Sequence, residues 1–147
     1  MFLQEKIKTE LRSLDPGNKR FHPIRKVISE LQYYQTKNVL SQISDQKVIE
    51  ILKQLTEKFT NLAKLYSAAG RDDLAMLQTE TAMIIMTLLP PEISESEIRE
   101  MAEKIISESE TGNTINRVMG RLMDIFKNRN INGSLASSIV QEMLAGN

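Results

Sequence analysis

The stretch Leu88–Ile98, LLPPEISESEI, decides the fold. Two consecutive prolines stop a helix: neither ring carries an amide hydrogen, and each disfavours helical geometry in the residue before it. The apolar residues upstream therefore close one helix, and those downstream open another. The opening carries a capping box, in which Ser94 accepts from the Glu97 backbone N–H and Glu97 reaches back to that of Ser94. Ile93 before the cap and Ile98 four residues into the helix form the matching hydrophobic staple. Composition also turns strongly acidic here, so the prolines divide a domain over 1–89 from one over 90–147.

Outward from this point every segment has helical period. Asp72 is expected to cap the helix LAMLQTETAMIIMTLL that the prolines end, and Gly70 in AAG suits a left-handed stop for the helix before it. That earlier helix starts at Ser44 or Asp45 and is striped by Val48, Leu52, Leu55, Phe59 and Leu62. A second helix is predicted from Pro23, with Ile24, Val27, Ile28 and Leu31 inward. Leu3, Ile7, Leu11 and Leu14 stripe the first, which the turn DPGNK stops. Downstream, Ile98, Met101, Ala102, Ile105 and Ile106 give one buried face, ended by TGN. Ile115, Val118, Met119, Leu122 and Phe126 give the next, and Leu135, Ile139, Met143 and Leu144 the last, across a loop NRNING. No segment alternates with the period of a half-buried strand. The expected fold is all-α: an N-terminal four-helix domain followed by a small three-helix C-terminal bundle.

Composition narrows the function classes. At 41% hydrophobic and 26% charged, the 147-residue chain reads as an ordinary soluble globular protein. It has no cysteine, so disulfides and thiolate metal sites are excluded. Charges interrupt the opening MFLQEKIKTELRSL, unlike a signal peptide, and no apolar run has the length of a membrane span. A cytoplasmic location is expected. The zero net charge hides a segregation: +4 over residues 1–40, −1 over 41–89, −5 over 90–112 and +2 over 113–147.

Self-contained catalysis finds little support. His22 is the only histidine and reads as a helix-start residue beside Pro23. There is no dinucleotide, P-loop or nucleophile-elbow motif. Glu92, Glu95, Glu97, Glu100, Glu103, Glu108 and Glu110 crowd one segment but follow a wet helix face. No cofactor and no metal are expected. Binding is better supplied. Arg117, Arg121, Asp124 and Asn128 share a face opposite the sixth apolar stripe, and Lys127 and Arg129 carry positive charge into the loop. Forked guanidinium donors one turn apart suit phosphates. Gly133 and Ser134, where the last helix begins, add backbone N–H groups and a partial positive charge. Aromatics for base stacking are missing nearby, which favours recognition of a folded RNA by shape and backbone. Gly120, inside the sixth helix, costs about 1 kcal/mol against alanine and asks for a reason.

AGRDDL at 69–74, LLPPEISESEI at 88–98, RVMGRLM at 117–123 and NGSLASSIV at 132–140 together make the chain similar to the YqeY-like family. That family shares its C-terminal part with the tail of the GatB subunit of the tRNA-dependent amidotransferase. The resemblance implies an all-helical fold with a three-helix C-terminal domain. It aligns Gly120 with the glycine of a VMG motif, where close helix packing or close approach of a ligand backbone is implied. It implies tRNA as a partner, and the amidotransferase or other translation components as further ones. It also carries the activity label carbon–nitrogen ligase with glutamine as amido-N-donor, although amide transfer and glutamine hydrolysis lie in other domains and subunits there. The chain departs from the family pattern at Asn116 and Arg117 (glycine and lysine), Asn128 and Asn132 (glycine and aspartate) and Leu88 (tyrosine), and TEKFTN at 56–61 keeps only Lys58 of a basic run.

Three readings stand on this sequence. The first is a tRNA-binding module with Arg117, Arg121, Lys127 and Arg129 on phosphates, supported by Gly120, Gly133 and Ser134. The second is a helical interaction module that docks on a translation or tRNA-modifying enzyme. Its adaptable surface would use Met83, Met86, Met119 and Met123, which otherwise fill the core. The third is an enzyme, which needs converging carboxylates in a pocket.

Overall fold

The computed structural model describes residues 2–109 and 112–146. Glu110 of the acidic segment and Thr111 of the TGN signal lie outside them, as do Met1 and Asn147. The described residues form seven helices: α1 (Leu3–Ser13), α2 (Phe21–Lys37), α3 (Asp45–Ala68), α4 (Asp72–Met86), α5 (Glu95–Glu108), α6 (Ile115–Ile125) and α7 (Gly133–Ala145). They contain no strand, only an isolated parallel bridge between Glu92 and Asn130. The fold is all-α, as the periodicity predicts. None of these helices is long and apolar enough to cross a membrane. The chain divides into two compact units, Met1–Pro90 with α1–α4 and Pro91–Asn147 with α5–α7.

In the first unit the predicted stripes converge. Leu3, Ile7, Ile24, Val27, Leu31, Val48, Leu52, Leu55 and Phe59 are buried in one cluster, with Leu11, Leu14 and Leu62 partly buried against it. Burying such a side chain stabilises by roughly 1.5–3 kcal/mol, so the cluster outweighs any local preference. Two helix starts differ from expectation for that reason. α2 begins at Phe21, two residues before Pro23. The proline is tolerated because first-turn N–H groups have no intrahelical acceptor to lose. Asp72 is the first residue of α4 instead of its cap; Arg71 holds the cap position without a capping side chain. Ser44 does cap α3, accepting from the Lys47 N–H at 3.2 Å. Asp45 beside it serves another helix: its carboxylate accepts from the Leu3 N–H at 2.8 Å, at the uncapped start of α1.

Two helices of this unit stop in the same way. At the end of α3 the Arg71 N–H donates to the Tyr66 carbonyl at 2.9 Å and that of Gly70 to Ser67 at 3.1 Å, with Gly70 left-handed at φ 76°. This is a complete Schellman stop. At the end of α2 the Leu40 N–H donates to Gln35 at 3.0 Å and that of Val39 to Thr36 at 3.2 Å, with Val39 left-handed at φ 52°. A β-branched residue occupies the position that wants glycine. Its side chain is 91% exposed, so it gains nothing from packing there. The left-handed conformation costs an L-residue about 1–2 kcal/mol, of which glycine's extra unfolded freedom gives back about 0.5–1 kcal/mol. Val39→Gly should therefore raise stability by about 0.5–1 kcal/mol in urea unfolding, while Gly70→Ala should lower it by about 1 kcal/mol. A Val39→Gly protein less stable than wild type would contradict this account.

The second unit is built on Ile93, Ile98, Ala102, Ile105, Val118, Leu122, Phe126, Ala136, Ile139 and Val140, all buried together. The staple residues Ile93 and Ile98 both belong to it. The capping box is half formed. Ser94 accepts from the Glu97 N–H at 3.2 Å, but the Glu97 carboxylate is turned to Arg129 instead of to Ser94. Ile115, expected inward, is exposed. The last helix starts at Gly133 with Asn132 as its cap, accepting from the Leu135 N–H at 3.1 Å, so Ser134 is its second residue.

Candidate nucleic-acid interface

The basic residues of the second unit fall into two groups along α6. Thr114 caps the helix by accepting from the Arg117 N–H at 3.2 Å, which places Arg117 in the first turn. Its guanidinium donates to the Ser109 hydroxyl and, at 3.1 Å, to the Asn113 side-chain carbonyl. No acid occupies that turn. A cation there adds to the partial positive charge of the helix N-terminus, an arrangement that costs stability unless an anion is supplied. Arg121 follows one turn later, exposed and without an ion pair among the described residues; Asp124 does not pair with it.

Gly120 lies exposed between the two arginines, and a Cβ added to it meets nothing within 4 Å. The expectation that a neighbouring helix packs on it is therefore not met. The glycine leaves a bare strip of backbone on the outer face of α6. Of the two reasons implied for this residue, room for an outside group is the one compatible with this geometry.

The second group lies beyond the C-terminal end of α6. Lys127 is exposed with no acid partner among the described residues. Arg129 is exposed and ion-paired: its guanidinium makes a two-pronged contact with Glu97 at 2.6 and 3.1 Å and stacks over Phe126 at 5.6 Å. The paired guanidinium holds the Glu97 carboxyl below its ordinary value, and Glu97 in turn raises that of Arg129. Arg129 therefore braces the loop against α5. The Ile93 N–H adds a backbone tie to the Asn130 carbonyl at 2.9 Å. The N–H groups of Gly133 and Ser134 open the first turn of α7 and have no acceptor among the described residues.

The sequence-predicted residues thus form a row along α6, not a single pocket. Arg117, Gly120 and Arg121 share one exposed face, and Lys127, Gly133 and Ser134 flank the far end. Of the bracing residues, Asn113 lies four positions before the arginine it holds, a local spacing, whereas Glu97 carries no such signal. Glu97 lies 32 positions from Arg129, beyond any local pattern. Among the described residues no group of His, Cys, Asp or Glu is placed to hold a metal.

A family model described as Yqey-like protein matches residues 2–144. No curated protein matches the chain.

Proposed function

Because the chain belongs to the YqeY-like family, we propose that it is an accessory module of tRNA-dependent chemistry, related to the GatB tail, whose second unit grips a tRNA backbone. It works in the cytoplasm and leaves glutamine hydrolysis and amide transfer to partner subunits such as those of an amidotransferase. The observation that supports this reading most is the start of α6. An arginine with no acid partner among the described residues sits at the positive end of a helix, with a second arginine one turn on and an uncovered glycine between them. A phosphate relieves that accumulation of charge, and the glycine lets a sugar–phosphate chain approach the helix backbone. Arg129, tied to Glu97, sets the loop geometry and leaves the phosphate contacts to Arg117, Arg121 and Lys127.

The test is tRNA binding by fluorescence anisotropy across a salt series. Affinity should fall steeply with salt, by a log–log slope of about 0.7–0.9 for each phosphate neutralised. Arg117→Ala/Arg121→Ala should weaken binding roughly tenfold or more at low salt and flatten the slope by about 1.4–1.8. Both side chains are exposed, so helix content should not change. Wild-type protein that fails to bind tRNA at low salt, or a double variant with an unchanged slope, would overturn the proposal.

A further inference from the structure

We infer that the groove between α2 and α4 in the first unit is the docking site for an acidic amphipathic helix of a partner protein. The inference is independent of the RNA reading, because it uses other residues in another unit. α4 is apolar around most of its circumference, a pattern that normally means a helix covered on every side. Among the described helices it packs against α3 and α2 only. Met76, Leu77, Met83 and Met86 remain 66%, 54%, 60% and 53% exposed, so these methionines do not fill the core as the simplest reading of the sequence expects. Methionine in such a position adapts to the shape of what covers it.

The groove holds about 770 Å3, with Pro23, Leu77, Met83 and Ile84 among its apolar lining. Lys19, His22 and Lys26 stand with them, and Glu80 is the one acid. The Arg20 charge is spent internally, on Glu10 at 2.6 Å and the Thr87 hydroxyl at 2.8 Å. Lys19 and Lys26 have no acid partner among the described residues, and Lys26 lies over the Phe59 ring at 5.1 Å. An apolar floor under unpaired lysines complements a helix with a leucine-type stripe and acidic flanks. From Leu77 to Thr87 the wall rises about 15 Å, nearly three turns of such a helix. The exposed apolar surface continues past the groove to Met76 and Met86, farther than a small ligand needs. The His22 ring is the one aromatic in this lining, too little for successive bases to stack on, which disfavours single-stranded RNA as the occupant.

The probe is an acetylated, amidated helical peptide of about sixteen residues, with leucines at helical spacing and glutamates on both flanks, and a twin with lysines for glutamates. Anisotropy with the full chain should show micromolar binding of the glutamate peptide and at least about tenfold weaker binding of the twin. Lys19→Glu/Lys26→Glu should invert that order, and Met83→Glu should weaken both peptides. These side chains are exposed, so unchanged circular dichroism is expected. No binding of the glutamate peptide, or equal binding of both peptides unaffected by Met83→Glu, overturns the inference. So does a loss of tRNA binding without a loss of peptide binding in the lysine variant, which would make the groove an RNA surface. A wild-type dimer in sedimentation that Met83→Glu dissociates would assign the groove to a second copy instead.

Discussion

Leu122→Ala is expected to unfold the second unit at room temperature. Leu122 is fully buried at the middle of α6, in a core of ten residues contributed by three short helices and the Ile93 staple. A core of that size leaves a net stability of only about 3–5 kcal/mol once chain entropy is counted. Removing a buried leucine side chain costs about 2–5 kcal/mol, more where the surroundings cannot collapse into the space. The two quantities are comparable, so the folded fraction of α5–α7 should fall to a minority. The first unit has its own core, which shares no residue with the second. Hydrogen exchange resolved by segment should therefore show rapid exchange through α5–α7 with protection of α1–α4 retained. A variant in which α5–α7 stay protected would mean that this core tolerates a cavity far better than its size allows.

Gln4→Ala should cost about 2–4 kcal/mol, and for a polar reason. Gln4 is 1% exposed, on α1 beside the apolar stripe. Its Oε1 accepts from the Ile43 N–H at 3.1 Å, and its Nε2 donates to the Gln35 Oε1 at 2.7 Å. Gln35 passes the chain of bonds on, its Nε2 donating to the Ser41 carbonyl at 3.0 Å. Alanine would leave the Ile43 N–H buried and without an acceptor, at about 1–3 kcal/mol, besides opening a small void. Gln4→Met separates the two effects, since methionine fills the volume and supplies only a weak acceptor. It should recover less than half of the loss in urea unfolding. A Gln4→Met protein as stable as wild type would show that this network contributes nothing.

What could be read in the sequence was local. The stripes Ile24–Leu31 and Val48–Phe59, the Gly70 stop and the Ser94 cap each join residues only a turn apart in the chain, where helical geometry links them directly. The family resemblance likewise rests on short motifs whose order is preserved, and the family match spans nearly the whole chain. Features made between distant segments were not legible. Gln4 carries no local signal of its role, because its partners lie 31 and 39 positions away. At the candidate interface, the exposure of Arg117 and Arg121 followed from their position opposite the apolar face. The commitment of Arg129 did not, since Glu97 also fitted a local role in the capping box. The methionines of α4 misled for a different reason: an apolar residue in a sequence does not say whether its cover belongs to the same chain.

The Asp45 carboxylate that completes the first turn of α1 belongs to the first residue of α3. A short helix of this kind is marginal by itself in water. During synthesis, then, the amino-terminal segment can start to coil but stays frayed at its leading end until residue 45 has left the ribosome and swung back to it. The first helix made is in this sense finished by the third, and lengthening the chain between them would delay its completion even with every residue of α1 intact.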